Sequence, residues 1–535
     1  MSIAITLLKE PGADPILREA DAGLTVEQLL GEYRSSLPWR VITARVDGED
    51  VALSHVLDKD CKVVFCDIRD NEANRAFQRG LSLLYLKAVH DLFGYNAHVE
   101  IRNSVNRGIF TTIDFAKSSD SERVIGGDDL RQIERRMWEM VDKNLPIVQT
   151  GKNDICRLED YTNNFFGIMP VSTGYIYSFS LEQARRGVLL RFPHPSDPGK
   201  LSIYKRDVKI FEAYEKEQEL FDSLNLRYID DLNRQINKGR AQDLIRMAED
   251  RHESRIEELA KKISAAGKRV VLIAGPSSSG KTTFSKRLIE AIAARGGPEP
   301  LYLGTDDYFV DREFAPRDKK GEFNFEGLDA VDVDLFVQNI NELLAGKNAD
   351  IPRFDFLEGK KHFGERKSRL KKNQIVVVEG IHALNKKMSL GVERDLEFKI
   401  YISPLTQLNI DDHNRVPSTD VRALRRLVRD NRTRGHSVID TLRQWPKVRT
   451  GESVNIFPYN NEADEVFNST LVYELPVLKK YAVPLLKKVK PGEAAHGHAK
   501  WLLYFLSLFA AIDDDSPIPP YSILREFIGG GAYYK

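Results

Sequence analysis

The sequence predicts a multidomain chain whose largest unit is an α/β domain on a parallel sheet, preceded by a small mixed sheet and an α+β region. Three observations carry this reading. At 535 residues the chain is too long for one core. After residue 268, short apolar runs (VVLIA, LYL, IVVV) recur between helical stretches, the pattern of strands covered on both faces. The stretch VVLIAGPSSSGKTTF, residues 270–284, joins one such strand to a helix through a glycine-bounded loop.

Composition narrows the class. Apolar residues make up 42% and charged residues 30%, as in globular proteins that fold in water. The 79 basic and 79 acidic residues cancel, so any anion site is local rather than a property of the whole surface. Three cysteines without a C-x-x-C spacing argue against a disulfide framework and a cysteine-rich zinc site, and fit a cytoplasmic location. MSIAITLLKEPGADP lacks the basic start of a signal peptide. The longest apolar run, Trp501 to Ile512, is too short to span a bilayer, which needs about twenty residues. It is expected to be a core helix, and no membrane association is expected.

Taken in order, residues 1–68 alternate short strands with one helix. Thr25 and Gln28 form a capping-box signature, and Asp47-Gly48 between apolar stretches signals a hairpin. Residues 70–200 carry strand-like aromatics, a turn at Ser172-Thr173-Gly174 and, in the 161–195 stretch, a short helix. Residues 207–264 are highly charged with helical period and no proline, read as solvated connecting helices. The phosphate-loop domain is expected over 268–490, and a helix and tail over 491–535.

The chemistry concentrates in the fourth unit. Gly275 to Thr282 match G-x-x-x-x-G-K-[ST], in which backbone amides curl around phosphate oxygens, the lysine neutralises them and the hydroxyl binds Mg²⁺. Phe284, Leu288 and Ile292 follow at helical spacing, so the phosphates would sit on a helix N-terminus. Asp306 and Asp307 fall just beyond the strand starting at Leu301, and Glu379 ends the strand Ile375–Val378. Ligands bind at that edge of open parallel sheets. From Arg422 to Arg434 there are six arginines in thirteen residues, whose planar forks suit a transferring phosphoryl group.

These residues resemble the uridine/cytidine kinase family, itself close to phosphoribulokinase and pantothenate kinase. The resemblance covers about 220 residues and runs through Gly275–Thr283, Gly304–Phe309, Asn324–Asp332, Pro352–Phe356, Glu379-Gly-Ile and Arg426 to Arg434. It implies that Gly275, Ser277, Ser278, Ser279, Gly280, Lys281, Thr282 and Thr283 bind ATP, and that Thr282 and Glu379 hold Mg²⁺. Asp306, Lys281, Arg429 and Arg434 would be catalytic, with Asp306, Glu326, Phe354, Phe356, Arg426 and Arg429 on the acceptor. Three departures lie on the acceptor side: Glu326 replaces an aspartate, Phe354 a tyrosine and Gly359 a histidine.

The whole organisation resembles multidomain bacterial nucleoside kinases that carry a TGS domain and a segment like the second additional domain of threonyl-tRNA synthetase. Residues 1–68 would then be a β-grasp-like TGS domain and 70–200 the second module, without the H-x-x-x-H pair used for editing. SILREFIGGG, from Ser522, resembles the end of that group and implies docking only. The expected activity is ATP-dependent transfer of phosphate to a small-molecule hydroxyl, the 5′-hydroxyl of a nucleoside foremost. An RNA- or ribosome-associated regulatory NTPase and a kinase of another alcohol or a sugar phosphate stay open. RNA binding by the amino-terminal modules and a homo-oligomer are compatible with this organisation.

Overall fold

A computed structural model describes residues 2–105, 108–115, 123–150, 154–185, 187–201, 208–317, 321, 323–493 and 495–534. The chain is multidomain: a parallel-sheet α/β domain follows amino-terminal α/β regions.

The first region is a five-stranded mixed sheet in the order Ile16–Asp21, Ser2–Leu8, Cys61–Asp67, Val41–Val46, Glu49–Val51. Its helix, Val26–Tyr33, opens on the expected capping box, with the Gln28 amide donating to the Thr25 hydroxyl and the Thr25 amide to the Gln28 side chain. The second region has a long helix, Asn71–Phe93, and a four-stranded antiparallel sheet. A helix Gly127–Asp142 and a three-stranded sheet complete it. The α-helix expected within 161–195 is not found among the described residues, only a 3₁₀ turn at Thr173–Tyr175. Ser180–Ala184 instead pairs with Gly187–Arg191 as a hairpin, so sheet pairing overrides a helix-like local sequence. Both regions share one contiguous apolar cluster.

The segment 207–264 is helical where described, as Val208–Ser223, Ile229–Asn237 and Ala241–Ala265. It is not a solvated connector. Leu232, Ile245, Ile256, Leu259 and Ile263 are buried in the same cluster as the loop helix. The charged residues cover its outer face, which hid a narrow apolar stripe.

The central sheet has five parallel strands in the order Leu301–Gly304, Val376–Glu379, Val270–Ala274, Glu397–Ser403, Glu465–Asn468. Alternate residues of the central strand enter different cores: Val271 and Ile273 one, Val270 and Leu272 the other. That is the period-two burial of a strand covered on both faces. The register puts Ile273, Glu379 and Gly304 in one row, so the loops leaving all three strands open at the same level.

Two contacts tie the regions together at the arginine-rich helix, Ser418–Thr433. The buried Asp420 near its start pairs with Arg75 of the long amino-terminal helix. Its other oxygen accepts from the Trp501 indole at 2.7 Å. Trp501 lies in His496–Ser507, whose Leu502, Phe505 and Leu506 are buried as a core helix requires. No helix of the described residues is long and apolar enough to cross a membrane.

Candidate active site

The loop after Val270–Ala274 turns into the helix Lys281–Ala293 at Gly280, whose φ of +87° is a left-handed value that suits glycine. Gly275 is needed for closeness: a Cβ there would strike the Ile402 carbonyl. Lys281 folds back over the loop, its Nζ donating to the Pro276 carbonyl at 3.1 Å. The hydroxyls of Ser278 and Ser279 are buried without a hydrogen-bond partner. Buried polar atoms are rarely left so, and here they line a loop shaped to take an anion.

Glu379 stands beside this loop. It accepts from the Thr282 hydroxyl at 3.2 Å and from the Tyr302 hydroxyl at 3.0 Å. Burial raises its pKa, which Lys281 partly offsets. Two hard oxygen ligands side by side fit Mg²⁺, which takes one or two protein oxygens and fills its shell with phosphates and water.

Asp306 lies across from Lys281. Its carboxylate is open to the cleft but walled in by protein, and no hydrogen bond from the described residues reaches it. Crowding raises its pKa, while Lys281, Arg434 and Arg429 pull it down. Its neighbour Asp307 is committed elsewhere, to Arg366 at 2.6 Å.

Five of the six arginines divide into two sets. Arg422 and Arg425 are buried struts: Arg422 forks onto Glu452 and donates to the Ser277 carbonyl, and Arg425 pairs with Glu474 at 2.6 Å. Arg426, Arg429 and Arg434 converge instead on one buried carboxylate, Asp430. Arg426 also donates to the Ser277 hydroxyl at 3.0 Å. Three cations sharing one anion leave a net positive wall above the loop.

Opposite lies an aromatic wall. Phe309 meets Phe325, Phe354 and Phe356 with ring centroids 5.7, 5.8 and 6.2 Å away. Phe354 is buried, whereas Phe356 is 60% exposed and Phe325 36%. Glu326 sits between this wall and the charges. Burial, with Glu452 nearby, pushes its pKa up to about 7 despite Arg426 and Lys281. At Gly359 a side chain would collide with Arg312, whose guanidinium donates to the Phe356 and Leu357 carbonyls.

Three features escaped the sequence reading. Glu452 accepts from the Ser277 amide at 2.9 Å, so that N–H is engaged within the protein. Tyr302 supports Glu379 from a strand too short to show its facing. The Thr283 hydroxyl points away from the loop mouth, to Glu526 at 2.8 Å and the Tyr534 hydroxyl at 3.1 Å. SILREFIGGG contains Glu526, but nothing in its spacing ties it to residue 283.

A phosphate loop at the end of a central parallel strand, flanked by two strand-end carboxylates and an arginine helix, defines a phosphate-loop phosphotransferase. Residues 270–474 match the phosphoribulokinase / uridine kinase family model. A uridine kinase of Staphylococcus aureus (strain JH9) is 30% identical over 180 residues, which are 34% of this chain and 76% of that protein. The chain belongs to the phosphoribulokinase/uridine kinase family. Among solved structures, one described as a possible uridine kinase from Bacillus stearothermophilus is 21% identical, with TM-score 0.28, over 40% of this chain and 98% of its own. A D-glycerate 3-kinase from Cryptococcus neoformans is 12% identical, with TM-score 0.21, over 47% and 87%.

Proposed function

We propose that this chain is an ATP-dependent kinase that moves the γ-phosphate to the 5′-hydroxyl of a nucleoside. The carrying observation is Asp306: a carboxylate at the cleft that no hydrogen bond from the described residues reaches, within electrostatic reach of Lys281, Arg434 and Arg429. A base and an array of cations around one open space is what phosphoryl transfer needs, since positioning and charge stabilisation carry such reactions.

In this reading the amides from Ser278 to Thr282 and the Lys281 ammonium hold the phosphates. Thr282 and Glu379 would hold Mg²⁺, which supplies charge neutralisation across the β- and γ-phosphates. Asp306 orients the acceptor hydroxyl and takes its proton as that oxygen bonds to the γ-phosphorus and the bond to ADP breaks. Arg426, Arg429 and Arg434 exchange part of their hold on Asp430 for the transferring phosphate. Phe356 and Phe325 offer faces for a base, and Glu326 an acceptor or donor for a ribose hydroxyl. Residues 1–68 are read as a TGS-like β-grasp unit and 70–200 as the synthetase-like module.

The test is ADP release over a panel of nucleosides, sugar alcohols and sugar phosphates, run beside Asp306→Asn and an RNA-only control. One nucleoside should accelerate release, yield its monophosphate and lose most of its rate in the variant. A sugar phosphate or simple alcohol as sole acceptor replaces the nucleoside reading. Hydrolysis stimulated by RNA alone, with no acceptor phosphorylated, sinks the kinase reading.

A further inference from the structure

Glu526 is 7% exposed, and among the described residues its carboxylate is met by hydroxyl donors and by no lysine, arginine or histidine at ion-pair distance. A buried carboxylate without a cation is costly, so a chain that keeps one gains something by it. Its surroundings indicate what. The carboxylate accepts from the Thr283 hydroxyl on the first turn of the loop helix. It also lies within electrostatic reach of Glu379. Two neighbouring groups fix the segment that carries it. Ile523 packs where a Cβ on Gly280 would go. Arg432 of the arginine helix donates to the Glu526 and Phe527 carbonyls at 3.2 and 3.3 Å. On the far side, Lys286 donates to the Tyr533 carbonyl at 3.0 Å, and the Tyr533 hydroxyl donates to Glu290 at 2.6 Å. The segment Ile523–Tyr534 thus clamps the loop helix to the arginine helix and fixes a negative charge behind the phosphate loop.

We propose that Glu526 is a charge-selecting positioning residue of the donor site, which disfavours a nucleotide arriving without its divalent cation. This rests on the loop being the nucleotide site, as proposed above. The reasoning is Coulombic. A fixed anion opposes the phosphates in proportion to their net charge. Metal-free ADP carries about three negative charges and its Mg²⁺ complex about one, so the same carboxylate penalises the free form by the cube of the factor it imposes on the complex. Lys281, the one cation in the sequence of the loop, donates to the Pro276 carbonyl and forms no ion pair with Glu526 among the described residues.

Calorimetric titration of the full chain with ADP, with and without Mg²⁺ at constant low ionic strength, tests it. Glu526→Gln keeps an acceptor for Thr283 and removes the charge. It should tighten metal-free ADP about tenfold and the Mg²⁺ complex about twofold. Tyr534→Phe, which removes a hydroxyl that meets both Thr283 and the Glu526 carboxylate but removes no charge, should leave the ratio of the two affinities unchanged. Should Glu526→Gln fail to fold, Glu526→Asp retracts the charge by one methylene, and the ratio must shift in the same direction. Equal changes in both affinities, or weakening of both, overturn the proposal and leave Glu526 a structural clamp. A wild-type chain that binds ADP in neither form overturns the donor-site reading itself, and this inference with it.

Discussion

The two walls of the cleft are built from different materials. On the donor wall, polar side chains fix one another: Thr282 and Tyr302 on Glu379, Arg422 on Glu452, Arg426 on Ser277. On the acceptor wall the contacts are between rings, and Phe356 is mostly exposed. Phosphates are alike in every donor nucleotide, so a rigid polar cradle serves them at no loss of generality. Acceptors differ in shape, and apolar ring contacts can be exchanged without leaving buried polar groups unpaired. In the proposed function the softer wall would carry specificity, and it is also where this chain departs from the family pattern it resembles, at Glu326, Phe354 and Gly359.

The sharpest way to break this contrast is Asp306→Asn. The substitution removes the group between the walls while keeping its shape, and a rate loss of about 100- to 1000-fold is expected. Affinity for the Mg²⁺ complex of ADP should hold within about twofold, because no hydrogen bond joins the Asp306 carboxylate to the described residues of the donor wall. A variant that loses ADP binding with its rate would place Asp306 in the cradle and erase the distinction.

How much of this was legible in the sequence follows the same division. Gly275, Lys281, Thr282, Asp306 and Glu379 sit within or just after buried strands, and a strand end has one place to go in a parallel sheet. Local pattern therefore located them. The arginine segment was only half legible. Helical spacing groups Arg422, Arg425, Arg426 and Arg429, yet whether each meets Glu452, Glu474 or Asp430 depends on elements up to about fifty residues away. Glu526 on Thr283 spans 243 residues and left no local trace. The helices of 208–265 misled for another reason: charge density described their outer face, and burial is decided by the inner one.

The acceptor wall gives the next largest effect. Phe356→Ala should raise the KM for the nucleoside about tenfold with little change in kcat or in the KM for ATP, since one base–aromatic stack is worth about 1–3 kcal/mol. Phe354→Tyr, restoring the family's hydroxyl beside a buried ring, should change the ranking of acceptors more than their rates. Initial-rate kinetics with both substrates varied will separate these outcomes. Equal effects on both KM values would mean that the aromatic wall props the donor cradle as well.

The smallest effect concerns stability, and its sign follows from Glu326. Its pKa in the folded chain is pushed up to about 7, above an ordinary value of 4.5. Below about pH 4.5 the carboxyl is protonated in both folded and unfolded chains and costs nothing. Between about 4.5 and 7 the unfolded chain ionises first, so stability falls as pH rises, and above about 7 the penalty is constant. Water in the cleft screens the effect to about 1 kcal/mol, or about 2–4 °C in Tm for a domain of this size. Glu326→Gln does not titrate, so its Tm should gain about that much on the parent between pH 5 and pH 8. A constant difference across that range would mean that Glu326 is well solvated, and the acceptor wall would then be open to water where it meets the charges.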